Sequence, residues 1–218
     1  MSTRDRIVEA AFSLFEEQGF EATTVEDVAE RAGVGRTTFF RHFRAKEDAV
    51  LPDHELVVAA VDARLAQDDA LATRVAAAAR LVLEHYLEEG ERARVRYRLS
   101  TSVPAIRRSE AAGQRAYQRT FKTAIKAELG SAVEARLEAE LVANAVITAH
   151  NFVLRRWLRG ETEDPFTEFD AAMVRATQPL HPERLATHHP DAHAVEAARR
   201  ALPVLEELLP ALRRLSDH

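Results

Sequence analysis

Thr23-Thr24-Val25-Glu26-Asp27-Val28-Ala29-Glu30-Arg31-Ala32-Gly33-Val34-Gly35-Arg36-Thr37-Thr38-Phe39-Phe40-Arg41-His42-Phe43 is the stretch of this 218-residue chain that decides its fold. Thr24 followed three residues later by Asp27, or Thr23 by Glu26, has the form of a capping box. In that motif a hydroxyl and a carboxylate satisfy the free N–H groups at a helix start. Val25, Val28, Ala29 and Ala32 then recur at three- and four-residue spacing and give a short helix one apolar face. Gly33-Val34-Gly35 ends it, and helical spacing resumes from Arg36 to Arg44 with Phe39, Phe40 and Phe43. Phe39 and Phe43 lie four apart and are expected to lock this helix onto its predecessors. Arg36, Thr37, Thr38 and Arg41 are then left facing outward.

Upstream, Ile7, Ala11, Leu14 and Phe15 form the stripe of another amphipathic helix, which ends at Gln18-Gly19 with glycine placed for a left-handed C-cap. Two short helices joined by a glycine-containing turn make a helix-turn-helix, and the basic residues sit on its second helix. From Arg31 to Lys46 the chain carries Arg31, Arg36, Arg41, Arg44 and Lys46 and no acid. A solvated helix face would mix signs. Short polar side chains flanked by arginine can reach base edges in a major groove.

The quoted stretch, with Lys46-Glu47 after it, resembles the N-terminal signature of TetR-family transcriptional regulators, over roughly residues 4–50. The resemblance implies a dimeric, all-helical, repressor-type protein whose C-terminal domain senses a small molecule. It also implies site residues. Thr24 matches the threonine that caps the second helix and meets a phosphate, and Arg36, Thr37 and Thr38 match the positions nearest the bases. Phe40, His42 and Lys46 match backbone-contacting positions, with Lys46 at the start of a fourth helix. Gly35 stands where serine is commonest, a tolerable N-cap. Phe40 stands where tyrosine is frequent, so one hydroxyl–phosphate bond should be missing.

Composition agrees with an all-α fold. Alanine, the strongest helix former, is the commonest residue, glycine occurs only 7 times, and β-branched and aromatic residues are sparse. Hydrophobic residues make up 46% and charged residues 30%, which suits a globular chain and not a disordered one. The net charge of −5 argues against a general nucleic-acid binder, so DNA contact must rest on the local basic segment. Zero cysteines exclude a disulfide scaffold, a thiol nucleophile and a cysteine-ligated zinc site. No apolar run approaches the roughly 18 residues of a membrane helix, and the N-terminus lacks the apolar core of a signal peptide, so a cytoplasmic setting is expected.

The spacing predicts further helices over Lys46 to about Ala66 with a kink or break at Pro52, Leu71–Glu89, Glu91 to about Ser100, Ala105–Leu129, Ser131–Arg159 and Phe166–Ala176. A Pro/His-rich connection over 178–192 leads to a leucine-rich segment from Val195 to Leu215. The expected division is a reader domain over residues 1–46 and a ligand-binding and dimerisation domain over 47–218. In the longest helix Val133, Leu137, Leu141, Thr148 and Phe152 mark one face, and Val142, Val146, Val153 and Trp157 another. A helix apolar nearly all round is buried in a core or an oligomer. Both are expected here, since a homodimer is what a paired major-groove reader needs.

Asn144 and His150 on that helix read first as hydrogen-bonded interior groups and second as ligand contacts, and Tyr86, Tyr97, Tyr117 and Phe121 first as core. Aromatic, alanine-rich helices with a few buried polar groups also suit a cavity for a mostly apolar ligand, which makes Tyr86, Tyr117, Phe121, Asn144, His150 and Trp157 the candidates. His181, His188, His189 and His193 read as a solvated loop before a metal site, and Arg92, Arg94, Arg96 and Arg98 as a partly solvated helix surface. No nucleophile elbow or zinc-protease pair occurs. Neither catalytic residue, cofactor nor metal is therefore expected. The expected function is a ligand-responsive regulator that a small apolar or aromatic effector releases from a near-palindromic DNA operator. A metal-responsive regulator and a helical interaction protein are the rival readings.

Overall fold

The computed structural model describes residues 1–181, and among them every regular element is helical. Helix α1 (Thr3–Glu17) starts at a capping box between Ser2 and Asp5 and buries Ile7, Ala11, Phe12, Leu14 and Phe15. Helix α2 (Val25–Arg31) starts at the Thr24–Asp27 box: the Thr24 hydroxyl accepts from the Asp27 N–H at 3.1 Å, and the Asp27 carboxylate accepts from the Thr24 N–H at 2.8 Å. The alternative cap, Thr23, is buried and donates to the Gly19 carbonyl at 2.8 Å. Gly33 makes the turn at φ 65°, where a β-carbon is strained, and α3 (Arg36–His42) follows. Phe39 is fully buried and Phe43 nearly so, with ring centroids 5.7 Å apart.

The helical stretch expected from Lys46 to about Ala66 is broken at Pro52, as its sequence suggests. A 3₁₀ turn covers Lys46–Val50, Leu51 is extended, and α4 (His54–Leu65) begins only after Asp53, whose carboxylate accepts from the Leu56 N–H at 3.2 Å. Pro52 is the reason. It has no N–H to donate, and its ring pushes Leu51 out of the helical region.

The body contains α5 (Leu71–Glu89), α6 (Glu91–Ser102), α7 (Pro104–Leu129), α8 (Val133–Leu158) and α9 (Pro165–Thr177), then a 3₁₀ turn at Gln178–Leu180. Helix α4 packs on α5, α7 on α8, and α8 on α9. Two apolar cores result. One lies inside α1–α3 and extends through Ala49 and Val50 to Val95, Val103 and Ile106, so the reader is seated on α6 and the start of α7. The other fills the space between α4, α5, α7, α8 and α9. The sequence expectations for His188, His189, His193 and the leucine-rich segment lie outside the described residues.

The α6 arginines are not a uniform solvated surface. Arg96 is 2% exposed, Arg94 lies over the Trp157 ring at 4.9 Å, and Arg92 and Arg98 pair with Glu9 and Glu16 of α1. Their alternation carries them around the helix. One enters the interior, one stacks, and two stitch the body to the reader.

Candidate nucleic-acid interface and effector cavity

On α3 the buried Phe39 fixes the rotation of the helix, which leaves Arg36, Thr37, Phe40, Arg41 and His42 exposed and Thr38 half-buried. This is the outward face that the spacing predicts, with Thr24 exposed at the start of α2 beside it. Arg36 pairs with Glu26 of α2 and lies over the Phe40 ring at 5.3 Å. Both partners of that ion pair are more than half exposed, so the pair contributes little and can exchange for another anion at small cost. Arg41 and Arg44 are exposed as well.

Two of the five basic side chains serve the reader's own architecture. Arg31 donates to both carboxylate oxygens of Glu17, at 2.9 and 2.8 Å, and ties α2 to α1. Lys46 opens the 3₁₀ turn, and its side chain folds back onto the end of α1 and the start of α2. Its ammonium donates to the carbonyls of Phe20 at 2.6 Å and Thr23 at 2.7 Å, over the Phe20 ring. Only one N–H of Lys46 is left for an outside anion.

Between α5, α6, α7 and α8 lies a cavity of ≈ 250 Å³. Tyr86, Tyr117, Phe121 and His150 line it, four of the six residues singled out for a ligand. Asn144 and Trp157 do not. Asn144 is exposed, accepts from Gln118 at 2.7 Å and donates to the Glu140 carbonyl, so it lies on the outer side of α8. Trp157 is half-buried against the apolar core, with Arg94 over its ring.

One part of the wall is charged, which pattern reading missed because an arginine among arginines carries no burial signal. Arg96 pairs with Glu89, lies 3.1 Å from Glu110, and donates to the Val50 carbonyl at 3.2 Å. Tyr86 donates to Glu110 at 3.2 Å. Burial pushes the Glu110 carboxyl above the usual range against the pull of Arg96, and burial likewise raises the Tyr86 and Tyr117 hydroxyls. Next to this cluster, His54 Nδ1 lies 2.9 Å from the Tyr117 hydroxyl. Burial and the Arg96 charge hold His54 down at about 4, so its ring is neutral near pH 7. Gly113 makes room for that ring, since a β-carbon there would come within 2.3 Å of it. Helix α4, which follows the reader, is thus pinned to the cavity wall at its first residue.

The outward face of α8 is the remaining feature. Val133, Leu137, Leu141 and Phe152 are 56–70% exposed, and Val174 of α9 is 66% exposed beside them. The other apolar face, Val142, Val146 and Val153, is buried. Among the described residues no group of three metal-ligating side chains gathers, and no helix is long and apolar enough to cross a membrane.

The described residues thus form a glycine-turned helix-turn-helix with Arg36 and Thr37 exposed, seated on a hollow helical body. Residues 7–51 match the family described as bacterial regulatory proteins, tetR family. That match is confined to the helix-turn-helix segment and the turn that follows it. The regulator TcmR of Streptomyces glaucescens is 42% identical over 73 residues, 32% of each chain, so the chain spans about a third of that relative's length. A putative TetR-family regulator from Syntrophomonas wolfei aligns over 82% of this chain and 94% of its own with a TM-score of 0.60 and 19% identity. SmeT, the repressor of a Stenotrophomonas maltophilia multidrug efflux pump, aligns in its triclosan complex over 80% and 91% with a TM-score of 0.53 and 18% identity. At such identities the likeness is one of fold.

Proposed function

We propose that the chain is a homodimeric repressor, with residues 1–46 as reader and 47–218 as body, released from a near-palindromic operator by a small apolar or aromatic effector. The observation that carries the reading is the face of α3 formed by exposed Arg36 and Thr37 with half-buried Thr38, held outward by the buried Phe39. Arg36 and the two threonines read base edges, while Thr24, Phe40, Arg41 and His42 meet the backbone, Phe40 through its ring alone. SmeT, a repressor of like fold with a triclosan complex, supports the effector half of the reading.

Arg36→Ala is expected to lower affinity for the specific operator by about 1–3 kcal/mol and to relax sequence preference. Lys46→Ala is expected to weaken specific and random DNA alike, and also to lower the melting temperature because the Phe20 and Thr23 carbonyls lose their donor. Mobility shifts over a salt series and thermal melts check both. Loss of discrimination from the lysine variant equal to that from the arginine variant would contradict the assignment.

The dimer forms through the exposed faces of α8 and α9, which places two α3 helices about 34–36 Å apart, or a multiple, along the duplex. Phe152→Asp is expected to give a folded monomer in sedimentation with operator affinity lost at least tenfold, because a charge would enter an apolar seam. A variant that stays dimeric and binds normally would remove α8 from the interface.

Release follows from preferential binding to one conformation of the dimer, with a coupling of about 1–3 kcal/mol. An effector against Tyr117 touches the group that holds His54, and through it the start of α4 and the Pro52 break that leads to the reader.

A further inference from the structure

Helices α7 and α8 flank the cavity and run antiparallel in a register that their polar contacts fix. Gln118 donates to the Asn144 side-chain oxygen at 2.7 Å, and one turn away Lys122 pairs with Glu140 at 3.1 Å. Steps of four and seven residues return to one face of a helix. In the other direction, the same register sets Ala111 against Asn151 and, one turn further, Arg107 against Arg155. These last four residues all line the cavity. Where Gln118 and Lys122 meet complementary partners, Arg107 meets a second cation. Arg107 donates through Nε to the Ser100 carbonyl at 3.1 Å and through Nη2 to the Thr101 carbonyl at 2.8 Å. Those bonds hold its guanidinium at the end of α6 and leave three N–H groups. Arg155 has no ion pair or hydrogen bond from its side chain among the described residues.

The lining is buried at Val82, Phe121 and Val146 and exposed at Arg107, Gln114 and Arg155, so the two cations stand at the mouth. Glu110, the one acid in the lining, is already shared with Arg96, and with Glu89 counted three arginines still face two carboxylates. Burial holds the His150 ring inside the cavity at about 4, and the Arg155 charge pushes the same way, so that charge is felt in the interior. Charges of one sign around a concave, low-dielectric wall focus their field on an entering counter-ion. Resting on the effector reading above, we infer that the cavity's ligand is an amphipathic anion, its apolar or aromatic body against Val82, Phe121 and Val146 and its oxyanion head between Arg107 and Arg155. Hydrogen bonds from guanidinium to an oxyanion are about twice as strong as neutral ones. The head also separates two like charges, whereas a cationic head would add a third.

Calorimetry on the full-length chain at pH 7 tests this with probes that share one body and differ in the head: 4-phenylbutanoate, 4-phenylbutylphosphonate, 4-phenylbutanamide and 4-phenylbutylamine. The carboxylate, the phosphonate or both should bind about tenfold or more tightly than the amide, as hydrogen bonds to a charged group give, and the protonated amine should bind weakest. The order of the two anions identifies the kind of head. Arg107→Gln with Arg155→Gln should erase the preference for anions and move the amide little. Arg155→Glu, at an exposed residue with no ion pair to lose, should weaken both anions and strengthen the amine, a reversal that a change of shape would not produce. Equal affinity for anions, amide and amine would overturn the inference and leave an apolar effector cavity standing. An anion preference that survives the double variant would overturn it too, and so would a parallel loss of all four probes in Arg155→Glu. Binding of none of the four up to millimolar concentration would overturn the effector reading itself, and the inference with it.

Discussion

Arg96→Ala is expected to lower the free energy of unfolding by about 3–5 kcal/mol, the cost of leaving buried charge without its partner. Arg96 is 2% exposed and is the shared cation of Glu89 and Glu110, and its donation to the Val50 carbonyl also ties α6 to the reader core. The sign of the pH dependence can be worked out in advance. Burial already raises the Glu110 carboxyl, and removing the guanidinium raises it further. A carboxyl whose folded pKa exceeds its unfolded value binds more protons in the folded state, so its penalty is present at pH 7 and shrinks as pH falls. The gap between wild type and Arg96→Ala in urea unfolding should therefore narrow from pH 7 to pH 5. A triple variant, Arg96→Met with Glu89→Gln and Glu110→Gln, should recover most of the loss, because it removes the charges together. A loss below about 1 kcal/mol that does not change with pH would show that the cluster contributes nothing to stability.

Phe39→Ala and Phe40→Ala, one position apart, are expected to differ by several kcal/mol. Phe39 is 0% exposed, inside the core that α1, α2 and α3 share, and its ring meets Phe43 and Phe40. Truncation should cost about 3–5 kcal/mol, for lost burial and the cavity left behind, and should abolish operator binding by freeing α3 to rotate. Phe40 is 43% exposed and touches Arg36. Its truncation should cost about 1 kcal/mol or less in stability, since an exposed cation–π contact is the main loss. Denaturation curves and mobility shifts on both variants check this. Similar destabilisation by the two would mean that α3 is rotated from the orientation described.

The reader was legible because its determinants are short-range. Capping at Thr24, the turn at Gly33 and the spacing of Phe39 and Phe43 are relations over three to five residues, and they place Arg36 and Thr37 outward before any other helix is considered. Pro52 marked the break after the reader for the same reason, although Lys46 could be placed only once the Phe20 and Thr23 carbonyls were seen to converge on it.

The body was legible only as helices. Boundaries at Gly90, Pro104, Gly130 and Gly160 follow from local backbone preference, and the bounds of α5, α7 and α8 lie within a few residues of those the spacing predicts. Which way each helix turns is a different matter. A helix apolar on two faces, such as α8, has no preferred inside until neighbours from distant parts of the chain cover one of them. Asn144 therefore went to solvent and His150 to the cavity, though both read alike in the sequence. Arg96 looked like its neighbours Arg92, Arg94 and Arg98, and only the arrival of Glu89 and Glu110 from α5 and α7 made its burial affordable. The sequence by itself determined the helical character of the described residues and the outward polar face of α3. Tertiary structure alone decided which polar groups line the cavity, because a buried charge or imidazole is stable only beside partners that lie on other helices.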